Sequence, residues 1–168
     1  MKRITLQATK MNALATHLQI DIQRVSAVEH QPDDKSIQYW VQTALELESL
    51  NGQIELCVRI VDEAEMSVLN QQYRQRSGST NVLSFVTENI PELPFQILGD
   101  MVICASVVSQ EAHQQQKTFN SHWAHMVIHG VLHLCGYDHI HDVDAQQMEL
   151  RELLILNKLG FTNPYEVK

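Results

Sequence analysis

The feature that most constrains this chain is a histidine pattern, H-x-x-x-H-x-x-x-x-x-H, formed by His129, His133 and His139. His129 and His133 are four residues apart, so on a helix they share one face, with Cβ atoms about 5–6 Å apart. Both imidazoles can then reach one ion at the roughly 2.0–2.1 Å of a zinc–nitrogen bond. Gly136 can take the left-handed conformation that ends a helix, which lets the chain turn back and deliver His139 from another direction. The spacing therefore predicts a three-histidine metal site with one open position, as in catalytic zinc sites.

The same spacing occurs in the metzincin proteases, whose pattern is H-E-x-x-H-x-x-G-x-x-H. In those enzymes the residue after the first histidine is a glutamate that acts as general base, whereas this chain has Gly130 there. The metal scaffold is thus predicted, but the motif does not identify a general base. A zinc-dependent peptidase or other hydrolase is an alternative interpretation, and Gly130 counts against it.

Other polar residues near the motif have more than one interpretation. His125 lies one turn before the first motif histidine, so it is either a fourth ligand or, as we favour, a hydrogen-bonding neighbour. His122 and His141 are expected at the surface, although His141 is the strongest rival to the third motif histidine. Asp138 either orients a ligand imidazole or belongs only to the turn. Asp100 is expected to be buried and hydrogen-bonded, or to lie at the edge of a cleft.

Hydrophobic periodicity predicts a single α+β domain over residues 1–168, with residues 1–17 as an N-terminal extension. The expected fold is a small mixed four-stranded sheet packed with about five helices around a metal-binding cleft. The predicted strands cover about 18–25, 54–60, 81–85 and 96–104, and the predicted helices cover about 35–50, 63–75, 105–116, 122–135 and 141–159.

The inward faces of two helices follow from the same periodicity. The first helix should bury Ile37, Trp40, Val41, Ala44 and Leu45. The second should be capped by Asp62, with Glu65 completing a capping box. Its inward residues should be Ala64, Val68, Leu69 and Tyr73.

Charge and cysteine content limit the environment and the partners. The net charge of −8 argues against a generally basic nucleic-acid binder, although a local cluster can still contact a few phosphates of an RNA. Cys57, Cys104 and Cys135 form no C-x-x-C pair and are expected to be reduced thiols, with Cys135 on the core side of its helix. No apolar run approaches the roughly 20 residues that span a bilayer, and no signal peptide is apparent, so we expect a cytoplasmic protein without membrane association.

Three blocks of sequence extend a resemblance to one family. The motif H-G-V-L-H-L-C-G-Y-D-H closely resembles the signature of the YbeY-like endoribonucleases, bacterial metalloenzymes of ribosomal RNA maturation. The segment L-N-Q-Q-Y-R at 69–74, followed by T-N-V-L-S-F at 80–85, resembles the family's second block. The segment L-G-D-M-V-I at 98–103 resembles its third block, and Met148, Glu149 and Glu152 fit its closing helix. Together the blocks cover roughly residues 18–165 in the family's order.

The resemblance implies a specific site and role. It makes His129, His133 and His139 the ligands of one zinc ion, although another divalent transition metal is possible. It makes Arg74 the arginine that assists RNA cleavage, a task for which a permanently charged, bidentate guanidinium is suited. From spacing alone, Arg74 would be a solvent-facing residue at a helix end.

The implied function is that of a zinc-dependent single-strand endoribonuclease in 16S rRNA 3′-end maturation and ribosome quality control. The implied partners are precursor 16S ribosomal RNA, small-subunit ribosomal proteins and a ribosome-assembly GTPase. A non-catalytic ribosome-assembly binding module with a structural zinc is a further alternative. A structural zinc would be closed by a fourth ligand, and finding Cys135 or His125 on the metal would favour that interpretation.

Overall fold

A computed structural model describes residues 16–166 of the chain. It contains four strands and five helices, in the order β1 (His17–Arg24), α1 (Asp34–Leu47), β2 (Gln53–Val61), α2 (Glu63–Arg74), β3 (Val82–Val86), β4 (Gln96–Cys104), α3 (Ala105–Gln114), α4 (Phe119–Leu134) and α5 (Asp142–Lys158). The α+β class and the number of strands and helices are confirmed. The predicted extension lies outside the described residues up to position 15, and His17 already belongs to β1.

The four strands form one mixed sheet in the order β1-β2-β4-β3. β1 and β2 are parallel, as are β2 and β4, whereas β3 runs antiparallel to β4. β3 is therefore an edge strand, and only one of its sides pairs within the sheet. None of the helices in residues 16–166 is long and apolar enough to cross a membrane.

The first helix forms as its periodicity predicts. Asp33 caps it by accepting a hydrogen bond from the Ser36 amide at 2.8 Å, which satisfies one of the free amides at a helix start. The helix ends at Leu47 rather than near residue 50, and Ser49 has a positive φ of 57°. All five residues of its predicted apolar face are buried.

The main core lies between one face of the sheet and helices α1, α4 and α5. Alternate residues of β2 and β4 point into it, and the interior of α4 fills its centre. A smaller cluster on the opposite face of the sheet lies under α2 and contains Val61, Met66, Leu83, Val102 and Cys104. The sheet is therefore covered most completely on the side that carries α4.

The predicted inward face of α2 is wrong for Ala64, Val68 and Tyr73, which are exposed, whereas Leu69 packs against the smaller cluster as predicted. Val68 and Tyr73 are 62% and 53% exposed, and the buried residues are instead Met66 and Asn70. Asn70 is tolerated in this position because its side-chain amide donates to the Gly78 carbonyl at 2.8 Å.

The capping box predicted for α2 also does not form. Asp62 occupies the N-cap position, but its side chain makes no cap hydrogen bond and accepts instead from Ser26 and Ala27. Glu65 pairs with Arg59 at 2.7 Å. Both carboxylates thus have partners outside the helix, which outcompete the local contact.

Two further predictions are corrected. Asp100 is exposed, on the face of β4 opposite the main core and away from the cleft lining. His122 is buried, with 2% exposure, because Glu111 accepts its Nε2 proton at 2.8 Å. His141 is exposed at the start of α5, as expected.

Candidate metal centre

Helix α4 presents the first two histidines of the motif. It begins three residues earlier than predicted because Thr118 is its N-cap and accepts a hydrogen bond from the Ser121 amide at 3.2 Å. From His122 to Leu134 all but two residues, His129 and His133, are buried. The two histidines therefore lie on the face of the helix that opens to solvent.

The end of α4 brings the third histidine to the other two. Gly136 has a φ of 98°, and its amide donates to the His133 carbonyl, so the predicted left-handed helix end is present. The chain then reverses and places His139 beside the helix. One ligand nitrogen of each of the three histidines lies within 4.8 Å of the others, and these three could hold a metal ion.

The distances fit a small ion with imidazole ligands. Nε2 of His133 lies 3.1 Å from Nε2 of His129 and 3.1 Å from Nδ1 of His139. Ligands at 2.0–2.1 Å in a tetrahedral arrangement are separated by roughly 3.3 Å, so little movement is needed to bind zinc.

The ring protons of the first two histidines are directed away from this point. Nδ1 of His129 lies 2.6 Å from the Glu152 carboxylate, and Nδ1 of His133 lies 2.8 Å from the Tyr137 carbonyl. Because both partners accept only, the Nδ1 atoms carry the protons and the Nε2 lone pairs face each other. Two converging lone pairs repel unless a cation lies between them, so the donor set fits a metal.

Burial favours the neutral form of two of these histidines, His125 and His133. It lowers the pKa of His125, against the opposing effect of Glu152. Burial, reinforced by the charge of His129, also lowers the pKa of His133. Neutral imidazole is the form that binds metal.

Glu152 is the residue that sequence analysis left without a role. Burial opposes its ionisation, but hydrogen bonds from His125 and His129 outweigh that effect and lower its pKa to about 2. It is only 1% exposed and lies in the buried stripe of α5 with Met148 and Ile155. An acid within an apolar helical stripe was the signal that could have identified it.

A second set of contacts fixes the loop that carries the third histidine. The Tyr137 hydroxyl donates to Glu48 at 2.8 Å, and Arg151 donates to the other oxygen of that carboxylate at 2.7 Å. Asp138 accepts the backbone amide of His139 at 2.7 Å. Asp138 is therefore a turn residue, which settles one of the open alternatives.

The two other candidate ligands do not join the group. His125 bonds to Glu152 at 3.1 Å, as the hydrogen-bonding interpretation predicted. Cys135 packs against the main core, and burial raises the pKa of its thiol to about 12. Within residues 16–166 the three-histidine group thus has no fourth protein ligand among the cysteines, other histidines and acids, which disfavours a closed structural site.

The histidines lie in a cleft of about 750 Å³ between β3 and the end of α4. Arg74, at the end of α2, and Arg76 line the same cleft. Arg74 donates to the Ser84 carbonyl at 3.0 Å, and its guanidinium lies 5.6 Å from the centre of the Phe85 ring. No carboxylate within the described part of the chain lies within ion-pair distance of either arginine.

At Gly130, α4 packs directly against the sheet. A Cβ atom there would lie 2.0 Å from Sδ of Met101 and 3.3 Å from a methyl group of Val82. The Ser84 hydroxyl donates to the Gly130 carbonyl at 3.0 Å. Because this position faces the sheet, it has no room for a glutamate, and the peptidase alternative loses its base for a steric reason.

Known proteins of similar sequence and fold match most of this chain. The model of the family described as Endoribonuclease YbeY matches residues 19–160. Three relatives from different strains of Coxiella burnetii, each described as Endoribonuclease YbeY, are 45% identical over 150 residues, covering 89% of this chain and 99% of the relative. A solution structure of a Thermotoga maritima protein superposes with a TM-score of 0.52 at 22% identity, over 88% of this chain and 99% of that one, and supports the fold alone.

Proposed function

The chain belongs to the YbeY endoribonuclease family, and on that basis we propose that it is a zinc-dependent enzyme that cleaves single-stranded RNA. The proposed zinc ligands are His129, His133 and His139. Arg74 is proposed to assist the cleavage.

One observation carries this proposal. The nitrogens that could hold an ion and the Arg74 guanidinium line the same cleft, which is open to solvent. A cleft that combines a metal with an unpaired cation suits a substrate with negatively charged oxygens. The chain's net charge of −8 makes this local arrangement more informative, since the arginines are not part of a generally basic surface.

Each group in the cleft has a distinct proposed task. When bound, zinc would polarise a phosphoryl oxygen and make a water molecule more acidic. Arg74 would donate to the oxygens on which negative charge develops during phosphodiester cleavage. Glu152 and the Tyr137 carbonyl would hold two ligand rings in the orientation that metal binding requires. Gly130 supplies no carboxylate where the metzincins carry their general base, and no residue is assigned that role here.

We propose that the RNA is precursor 16S ribosomal RNA and that the reaction contributes to maturation of its 3′ end and to ribosome quality control in the cytoplasm. Small-subunit ribosomal proteins and a ribosome-assembly GTPase are the proposed partners. This part rests on family membership. Partner proteins would also compensate for an acidic surface that by itself attracts RNA weakly.

Metal content and RNA cleavage should be measured together on the wild type and matched variants. We expect about one zinc ion per chain in the wild type, and loss of both metal and cleavage in His133→Ala. Arg74→Ala should keep its metal and lose about a hundredfold or more in cleavage rate, as when one transition-state donor is removed. His141→Ala is the matched control, because this exposed histidine lies outside the three-histidine group, and it should retain both properties.

Cleavage that survives in His133→Ala after the metal is gone would contradict the proposal and favour the assembly-module alternative. Loss of zinc in Arg74→Ala would contradict the separate role given to the arginine. The 16S assignment is tested by mapping the 3′ ends produced from precursor small-subunit particles, with and without the enzyme. Unchanged 3′ ends would contradict that assignment while leaving the nuclease activity intact.

A further inference from the structure

The segment after α5 folds back onto the metal centre and reaches its interior through one side chain. Tyr165 is 43% exposed, yet its hydroxyl donates to Oε2 of Glu152, which is only 1% exposed. The side chain of Asn163 accepts the Tyr165 amide at 2.9 Å, which fixes the turn that presents the ring. A polar contact that extends from an exposed ring to a buried carboxylate is a specific one, since the hydroxyl could have been satisfied by water.

The carboxylate has a different task on each oxygen. Oε1 lies 2.6 Å from Nδ1 of His129, whereas Oε2 lies 3.1 Å from Nε2 of His125 and also accepts from Tyr165. The His125 ring stands nearly perpendicular to the Tyr165 ring, at 81° and 5.5 Å between centroids. The two donors on Oε2 thus define the plane of the carboxylate, and that plane determines where Oε1 holds the His129 ring.

His125 alone would anchor the carboxylate less firmly. Its other ring nitrogen, Nδ1, is buried and has no hydrogen-bond partner among the described residues. The imidazole is therefore held by packing and through Nε2 alone, which lies 3.1 Å from Oε2 of Glu152 and 3.3 Å from the Tyr165 hydroxyl. Tyr165 adds the second fixed donor from a different part of the chain. Burial, with the hydrogen bond to Glu152 and the charge of that carboxylate adding to it, raises the pKa of Tyr165, so the hydroxyl keeps its proton at neutral pH and can donate.

We propose that Tyr165 is a positioning residue of the metal centre: it fixes Glu152, and through Glu152 it fixes the ring of His129 for metal binding. The C-terminal segment is then part of the site, although it lies outside both the histidine motif and the cleft. This inference rests on the proposed zinc-dependent function. It predicts that zinc affinity depends on a hydroxyl group that never touches the metal.

The simplest rival explanation is that Tyr165 only anchors the C-terminal segment. A structural anchor would stabilise the metal-free and the zinc-bound protein equally. A positioning residue stabilises the zinc-bound form more, because the ring it orients gains a partner when the ion binds. Zinc affinity measured apart from activity therefore separates the two explanations.

The test uses the full chain with Tyr165→Phe, which removes the hydroxyl and keeps the ring. Zinc affinity is measured by competition with a chromophoric chelator. We expect about a tenfold loss, at the low end of the range for removing a partner that orients a ligand. The matched control is Tyr39→Phe, because Tyr39 is 59% exposed and its hydroxyl makes no hydrogen bond among the described residues; its zinc affinity should equal that of the wild type.

A second comparison tests the route through Glu152. In a Glu152→Gln background, Tyr165→Phe should lower zinc affinity by much less than tenfold, since the group it positions has changed. Should Glu152→Gln fail to fold, cobalt replaces zinc in the wild type and in Tyr165→Phe. The visible absorption of tetrahedral cobalt should then change in Tyr165→Phe and not in Tyr39→Phe.

Several results would overturn the inference. Unchanged zinc affinity in Tyr165→Phe, with lower stability of the metal-free protein, would show that the segment is only an anchor. An equal loss of affinity with and without Glu152 would show that Tyr165 acts by another route. These outcomes leave the proposed function intact, whereas a wild type that binds no zinc would contradict both.

Discussion

Gly130→Ala tests the close contact between α4 and the sheet by adding one methyl group at that contact. The new Cβ would lie 2.0 Å from Sδ and 3.0 Å from Cγ of Met101, in the interior of the main core. Overpacking of this kind costs about 1–3 kcal/mol, and the better helix propensity of alanine offsets about 1 kcal/mol of it. We therefore expect a net loss of up to about 2 kcal/mol in the free energy of unfolding. Urea unfolding followed by circular dichroism, with a chelator present, measures it without a contribution from metal.

The origin of that loss is tested in a second background. Met101→Ala alone should cost about 2–5 kcal/mol because the side chain is fully buried. With the thioether gone, the remaining close contact is the Val82 methyl group at 3.3 Å, so Gly130→Ala should no longer cost stability and should stabilise the protein by up to about 1 kcal/mol. Met66→Ala is the matched control, a fully buried methionine on the opposite face of the sheet, and there Gly130→Ala should cost the same as in the wild type. Equal effects of Gly130→Ala in all three backgrounds would refute the argument that Met101 limits this position.

Three further predictions follow from other contacts. Gly99→Ala should destabilise the protein more than Gly130→Ala, by more than about 3 kcal/mol in the same urea assay. Gly99 has a φ of 136°, and its Cβ would lie 2.0 Å from the Phe85 carbonyl oxygen, a backbone atom that cannot move aside as a thioether can. A smaller loss than for Gly130→Ala would contradict this. Arg76→Ala should weaken RNA binding and reduce the slope of log affinity against log salt by about 0.7, the contribution of one phosphate contact in a single strand; an unchanged slope would remove Arg76 from the RNA-binding surface. Burial opposes ionisation of Glu111, but hydrogen bonds from His122 and Asn81 outweigh burial and lower the pKa of Glu111 below its usual 4.5. The ionised carboxylate therefore stabilises the fold above pH 4.5, and this stabilisation is lost as the pH falls through the lowered pKa. Glu111→Gln should therefore be less stable than the wild type at pH 7 and closer to it at pH 4, and a gap that does not narrow would show that the charge is not the cause.

The parts of the fold that could be predicted are those that a local pattern encodes. The apolar stripe of α1 was identified because its residues recur at helical spacing and all of them face one core. The three-histidine geometry could be expected because two of the residues share a helix and Gly136 allows the turn to the third. In both cases the information lies within about fifteen residues of sequence.

The parts that could not be predicted depend on partners distant in sequence. Glu152 and Tyr165 acquire their roles only when α5 and the segment after it pack against α4. His122 looked like a surface residue because its partner, Glu111, lies on the preceding helix. The inward face of α2 was misassigned because Asn70, a polar residue, is buried there through a loop carbonyl, while the apolar Val68 is exposed.

Because β3 is an edge strand, Arg74 also protects a row of unpaired backbone groups. The Asn81 carbonyl accepts from the Cys104 amide and the Thr87 amide donates to the Leu98 carbonyl, both on β4. In an antiparallel pair, Val82, Ser84 and Val86 then direct their backbone groups outward. Two of those groups are already occupied, since Arg74 bonds the Ser84 carbonyl and the Asn81 side chain accepts the Val82 amide. An unpaired strand edge invites another chain to add a strand, and charged side chains are a common protection against such aggregation. Arg74→Ala would therefore remove a guard against self-association as well as a cation, and its activity should be compared at concentrations where light scattering shows a single species.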